Sequence, residues 1–143
     1  MNKKWETLLR ETNDKRIAEM FEEFSFNEKP AAVLTEVNGM PLPEDYLAFM
    51  REHNGGEGPL GEYNYGSFFR MEELEKINGE YDVKNSWPGY VVLGSDMGGQ
   101  LWAYNPEKKI YCQIDSCSIS ADTFSTVSSS FIDFLLNMDE ELA

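Results

Sequence analysis

The chain has 143 residues, 41% hydrophobic and 13% aromatic, which suits one ordinary core and therefore one domain. It holds no apolar run long enough for a membrane span, and its start, MNKKWETLLRETNDKR, mixes acids and bases without an apolar signal core; a protein kept in the cytoplasm is expected. The formal charge of −14 argues against nucleic acid and anionic membrane as partners, because such a surface repels phosphate.

That charge is unevenly spread. Residues 1–29 hold six Lys/Arg and seven Asp/Glu, so residues 30–143 set six bases against nineteen acids, a net −13. After Lys109 no base follows, whereas Asp115, Asp122, Asp133, Asp139, Glu140 and Glu141 do. An acidic body of this kind stays soluble and speeds association with a basic partner. Cys112 and Cys117 are too few for a disulfide framework, and with the lone His53 they do not make a zinc set. Two reduced thiols, no metal and no cofactor are expected.

In chain order, Trp5, Leu8 and Leu9, then Ile17, Met20, Phe21 and Phe24, form two helical stripes split by Thr12-Asn13-Asp14, with Asn13 or Asp14 as the cap of the second. Pro30 then opens a short expected helix with Val33, Leu34 and Val37 inward and Gly39 as its stop. The clearest helix is in Leu42 to Gly56, LPEDYLAFMREHNGG. Pro43 suits its first position, and Glu44 and Asp45 favour the positive helix end. Tyr46, Leu47, Phe49 and Met50 make its buried stripe, and Asn54-Gly55-Gly56 closes it. From Gly55 to Gly66, GGEGPLGEYNYG has five glycines and a proline and reads as a long loop.

Ser67 to Met71 reads as a short strand and Glu72 to Ile77 as a helical turn or two, followed by a loop over residues 79–89 that holds Trp87-Pro88. Tyr90 to Leu93, Gln100 to Tyr104 and Lys109 to Ile114 read as strands joined by the turns GSDMGG and NPEK, an antiparallel meander that places Cys112 with Ile110 and Ile114 on its apolar side. Asp122 to Val127 is a further strand, and Ser128 to Met138 a last helix with Phe131, Phe134, Leu135 and Met138 inward.

Catalytic chemistry finds little support. Asp96-Met97-Gly98-Gly99 is followed by a strand where a phosphate loop needs a helix, so a hairpin turn is the better reading. His53 has no nucleophile pointing to it, and its place near a helix end is favourable without one. Clusters such as Glu72-Glu73-Glu75 look like a solvated helix face, and nothing selects a carboxylate pair for glycoside chemistry. Aromatic residues in the breaker-rich loops carry more weight. Tyr63, Tyr65, Trp87 and Tyr90 either plug the core ends or present a recognition patch, and acids such as Glu57, Glu62 and Asp96 flank them.

The order LPEDYLAFMREHNGG, an aromatic loop, WPGYVVLGSDMGGQLWAY, KIYCQI and SSFIDFLLNM resembles the SUKH superfamily, which includes fungal cell-wall-assembly regulators and many bacterial immunity proteins. The match is carried by Leu42, Pro43, Glu44, Asp45, Tyr46, Phe49, Asn54, Gly55 and Gly56, then Leu93, Gly94, Ser95, Asp96, Gly98 and Gly99. It covers residues 30–138, a SUKH-like body, and leaves residues 1–29 as a helical extension of the same domain. The resemblance implies an α+β fold, a twisted antiparallel sheet flanked by helices, and a non-catalytic protein-binding role. Immunity-type members bind a toxin domain directly, so a basic toxin domain, such as a nuclease, is the expected partner. A scaffold of the cell-wall-regulator kind is the alternative, and an enzyme the third reading. Glu57, Glu62, Tyr63, Tyr65, Trp87, Tyr90 and Asp96 are the expected partner-binding residues.

Overall fold

A computed structural model describes residues 4–12, 16–61, 64–117 and 124–142. The caps expected at Asn13 or Asp14, and Glu62, Tyr63 and Asp122, lie outside the described residues. Helices α1 (Trp5–Thr12) and α2 (Arg16–Met20) lead to strand β1 (Ser25–Phe26) and the hairpin of β2 (Glu36–Val37) and β3 (Met40–Pro41). Helix α3 (Glu44–His53) precedes β4 (Gly56–Leu60) and β5 (Asn64–Phe68); a 3-10 turn (Met71–Glu73), α4 (Leu74–Glu80) and α5 (Val83–Ser86) follow. The chain ends in β6 (Val91–Ser95), β7 (Gln100–Asn105), β8 (Ile110–Asp115), β9 (Ser125–Ser128) and α6 (Phe131–Leu142). Among these, seven strands form one sheet in the order β1-β4-β5-β6-β7-β8-β9, every neighbouring pair antiparallel. The fold is α+β, a meander flanked by helices.

Alternation along the strands decides the two faces. Trp102, Tyr104 and Tyr111 point into a large core shared with Trp5, Ile17 and Met20 of the first two helices, the α3 stripe, and Phe131, Phe134 and Leu135 of α6. Leu101, Ala103, Cys112 and Ile114 point the other way, into a smaller core with Val83 and Trp87. The first face is aromatic. Phe49 has its ring 5.1 Å from Trp5 and 5.4 Å from both Phe68 and Phe131.

Helix α3 follows its sequence signals closely. Tyr46, Leu47, Phe49 and Met50 are buried, Asn54 is left-handed (φ 47°) with its N–H donating to the Met50 carbonyl at 2.9 Å, and Gly55 follows at φ 79°. Pro43, expected as the first helical residue, is instead the cap, with extended ψ of 147°. Asp45 is more than a favourable end charge. Its carboxylate accepts from the Tyr46 N–H (2.8 Å), the Tyr111 hydroxyl (2.5 Å) and the Phe131 N–H (2.7 Å), so one side chain ties the starts of α3 and α6 to β8. Burial, the Asp45 charge and that hydrogen bond all hold the Tyr111 hydroxyl well above its ordinary pKa.

Three expected elements differ. In place of the helix over residues 30–39, β2 and β3 pair around Asn38 (φ 50°) and Gly39 (φ 83°); Asn-Gly is a strong short-hairpin signal, and it prevails over Pro30. In place of the loop over residues 55–66, β4 and β5 pair from Gly56↔Phe68 to Leu60↔Asn64. The glycines there serve close approach rather than disorder. A Cβ on Gly56 would lie 2.4 Å from the Ser25 carbonyl oxygen, and one on Gly66 would lie 2.3 Å from the Trp102 ring. Within the loop expected over residues 79–89, the chain forms α5, entered through Asp82 at φ 50°.

Candidate functional site

The smaller core covers only part of the outer sheet face. Trp87, 5% exposed, and Val83 press on Val92, Leu101, Ala103, Cys112 and Ile114, with Tyr90 and Phe124 closing the side at 5.0 Å, edge to face. Burial pushes the Cys112 thiol up to about 12, consistent with an inert buried sulfur. Asn78 on α4 finishes this cover. Its amide donates to the Leu74 and Val92 carbonyls and accepts from the Val92 N–H, all at 2.8 to 2.9 Å, so it pairs with β6 beyond Gly94, where the β5 partner strand has ended.

Toward β4 and β5 the outer face is open. Leu60 and Phe68 belong to the large core, so the alternate residues Glu57, Pro59, Tyr65 and Ser67 share the opposite face, with Glu57 opposite Ser67 and Pro59 opposite Tyr65. Glu57 is exposed and Tyr65 is 49% exposed. At the foot of this face a depression of about 350 Å³ is lined by Asn27, Glu57, Ser67, Phe69, Arg70 and Glu73. The neighbouring β6–β7 turn joins the same surface, because Ser95 pairs with Ser67 and puts the turn at the Tyr65 end of β5.

Asp96 and Asp115 lie at that end, in the β6–β7 turn and opposite Gln100 at its base. In sequence, segments 61–67, 95–101 and 113–125 contain no Lys or Arg. Elsewhere in the body, Arg51 pairs with Glu44, Lys76 with Glu80 at 3.8 Å, and Arg70 with Glu73 at 4.0 Å. Lys108 and Lys109 occupy the β7–β8 turn, at the opposite end of the sheet. Arg16 of α2 does reach the Tyr65 end, lining a depression of about 500 Å³ with Pro59, Gly61 and Asn64, where Glu19, Glu22 and Glu23 surround it.

Of the residues expected to bind a partner, Glu57 and Tyr65 lie together on the open face. Asp96 is in the adjacent turn, where Oδ1 accepts from the Gly98 and Gln100 N–H groups at 2.7 and 2.9 Å, so it also shapes that turn. Trp87 is packed in the smaller core, and Tyr90 is half-buried beside it, lining a cleft of about 480 Å³ with Val37, Met40 and Val83. Sequence reasoning passed over Met97, 60% exposed at the tip of the β6–β7 turn. The available signal was a large apolar residue inside a Ser-Asp-x-Gly-Gly turn.

Residues 31–137 match the model of the SMI1 / KNR4 family (SUKH-1). The chain belongs to that family. No curated protein matches it. The SUKH match begins beyond β1, yet Trp5, Ile17, Met20, Phe21 and Phe24, which precede it, are all buried in the large core of the SUKH body. This N-terminal segment also edges the sheet: Ser25 and Phe26 pair with Glu57 and Gly56, and the Gly61 N–H donates to the Met20 carbonyl at 2.9 Å. Membership supports a protein-binding domain of the immunity or regulator type. No helix among the described residues is long and apolar enough to cross a membrane. No group of three or more His, Cys, Asp or Glu among them could hold a metal.

Proposed function

We propose that this SUKH protein is a non-catalytic, cytoplasmic immunity-type domain that binds and neutralises one basic toxin domain, with neither nucleic acid nor membrane as a partner. The carrying observation is the open outer face of β4 and β5, with Glu57 and Tyr65 diagonal to each other on paired strands and Asp96 in the adjoining turn, in a body whose residues 30–143 carry a net −13. Acidic rims steer a basic partner and set its association rate, while central apolar groups set dissociation. Glu57, Asp96 and Asp115 form the rim and Tyr65 contributes the aromatic contact; Glu62 and Tyr63 join the proposal from their place in the sequence alone. Trp87 and Tyr90 stand beside this face, in the smaller core that covers the neighbouring strands.

Binding kinetics with the product of the gene directly upstream test this. Reversing Glu57 and Glu62 to Lys slows association and flattens its salt dependence; Tyr65→Ala speeds dissociation about tenfold, the equivalent of about 1.4 kcal/mol. Association indifferent to salt and to both reversals overturns the electrostatic part. A second reading, an intracellular scaffold of the cell-wall-assembly-regulator kind, draws on the separate cleft of about 480 Å³ between the β2–β3 hairpin and α4 and α5, which offers a second surface. Several unrelated partners competing for neither Glu57 nor Tyr65 favour that reading.

A further inference from the structure

Where β5 leaves β6 at Gly94, a cleft of about 480 Å³ opens between the β2–β3 hairpin, α4, α5 and the start of β6. Val37, Val83 and Val91, each at most 2% exposed, form its floor, and the half-buried Met40 and Tyr90 its walls. A size of about 300–1,000 Å³ and an apolar lining with a few polar groups are what small-molecule sites have. Gly79 shows that this space is kept. It stands in α4 without the positive φ that favours glycine, and a Cβ there would meet nothing within 4 Å. Glycine weakens a helix relative to alanine, so neither backbone nor packing accounts for it at a position that lines the cleft. A larger side chain there would narrow the opening.

The charge around the cleft differs from the rest of the body. Of the six bases in residues 30–143, Arg51, Arg70 and Lys76 are ion-paired, while Lys84, Lys108 and Lys109 make no ion pair among the described residues. Lys84 lines the cleft. Lys108 and Lys109 belong to the β7–β8 turn, which adjoins the Gly89 side: a Cβ on Gly89 would lie 3.7 Å from Asn105 Nδ2, and Asn105 Oδ1 accepts from the Glu107 and Lys108 N–H groups at 3.0 Å. The acids beside these lysines in the chain are Asp82, whose Oδ1 already accepts from Asn85 Nδ2 at 2.8 Å, and Glu107. We propose that the cleft is a binding site for a small amphipathic carboxylate, with its apolar body on the three valines and its carboxylate at Lys84. Charges farther than about 8 Å are screened at physiological salt, so a small anion senses these lysines while a large acidic partner would meet the net −13 of the whole body. Met40 gives the wall the adaptability of an unbranched thioether. The site goes beyond the β4–β5 face, and its test does not involve that face.

Backbone amide NMR of the full-length chain, titrated with octanoate, octanol and acetate, tests this. Octanoate shifts the amides of Gly79, Lys84, Gly89 and Val91 saturably, and acetate at the same concentration leaves them in place. Octanol binds the same cleft about fivefold or more weakly than octanoate in low salt, and added salt closes the gap. Lys84→Glu weakens octanoate about five- to tenfold and leaves octanol within about twofold. Gly79→Leu abolishes the binding of both while its thermal unfolding is unchanged or raised, since leucine is the better helix former. Octanoate that shifts other amides instead, or that does not saturate, overturns the site. Octanol binding as tightly as octanoate, or octanoate binding that ignores Lys84→Glu, overturns the carboxylate. A clear fall in the Gly79→Leu melt overturns the kept space, because the glycine would then serve the fold.

Discussion

The two faces of the sheet solve different problems with the same strands. On the inner face, Trp102 lies across Gly66 and Gly94, where a Cβ would come within 2.3 and 2.7 Å of its ring, and Phe68 packs against it, tilted by 46°, at 4.7 Å. Four helices close that side. On the outer face, α5 and Trp87 cover only β6 to β8, and the β4–β5 half carries Glu57, Pro59, Tyr65 and Ser67 without a covering element of the described chain. The lesson is that stability and recognition are separated by strand alternation: neighbouring residues of β5, Tyr65 and Gly66, serve opposite tasks.

That separation breaks most visibly at the tryptophans. Trp102→Ala should cost about 4–5 kcal/mol by chemical denaturation, because the glycine floor beneath it cannot refill the space, and Trp87→Ala about 3 kcal/mol, at the lower end for a buried aromatic. Equal losses would mean that the smaller core is as rigid as the larger. Gly55→Val, on the seam between α3 and β4, should cost about 3 kcal/mol: its φ is 79°, and a Cβ there would stand 2.2 Å from the Phe68 carbonyl oxygen. A loss under about 1 kcal/mol would show that this seam yields.

Cys112 probes the covered half of the outer face. Cys112→Ala should cost about 1–2 kcal/mol, and reductant should leave the melt unmoved. Its folded pKa of about 12 lies above the ordinary 9.0, and the folded Tyr111 pKa is raised above 10.0, so the folded state holds both protons more tightly than the unfolded one. Their contribution is complete below about pH 9 and is lost as pH rises through the folded values. Stability measured from pH 8 upward should therefore fall, and fall less in Cys112→Ala. The smallest effect is expected on the open half. Tyr65→Ala should change stability by less than about 0.5 kcal/mol, and a larger loss would show that the β4–β5 face is part of the fold's support.

His53 sharpens the seam on its N-terminal side. Its ring stacks on Phe26 of β1 at 3.9 Å, and burial lowers its pKa against the opposing pull of Glu52. A lowered pKa means stability that is complete above about pH 6.5 and declines as pH falls. Replacing His53 by Gln should remove that part of the acid dependence.

Much of this was legible in the residues themselves. The capped, amphipathic stretch from Pro43 to Gly55 fixes α3 locally, and the alternation in QLWAY and KIYCQI fixes β7, β8 and the shared apolar face of Cys112 and Ile114, since both patterns depend only on near neighbours. The acid-only character of residues 61–67, 95–101 and 113–125 was present in the composition. What tertiary structure decided is which breakers are hinges and which are seats. Gly56 and Gly66 look like loop residues in sequence, but their missing side chains admit the Ser25 backbone and the Trp102 ring, partners far along the chain. It likewise turned Asp45 from an end charge into the bond between α3, β8 and α6, and buried Trp87 while leaving Tyr65 open. Local pattern sets the conformation of each segment; only the packed sheet determines which of its two faces meets water.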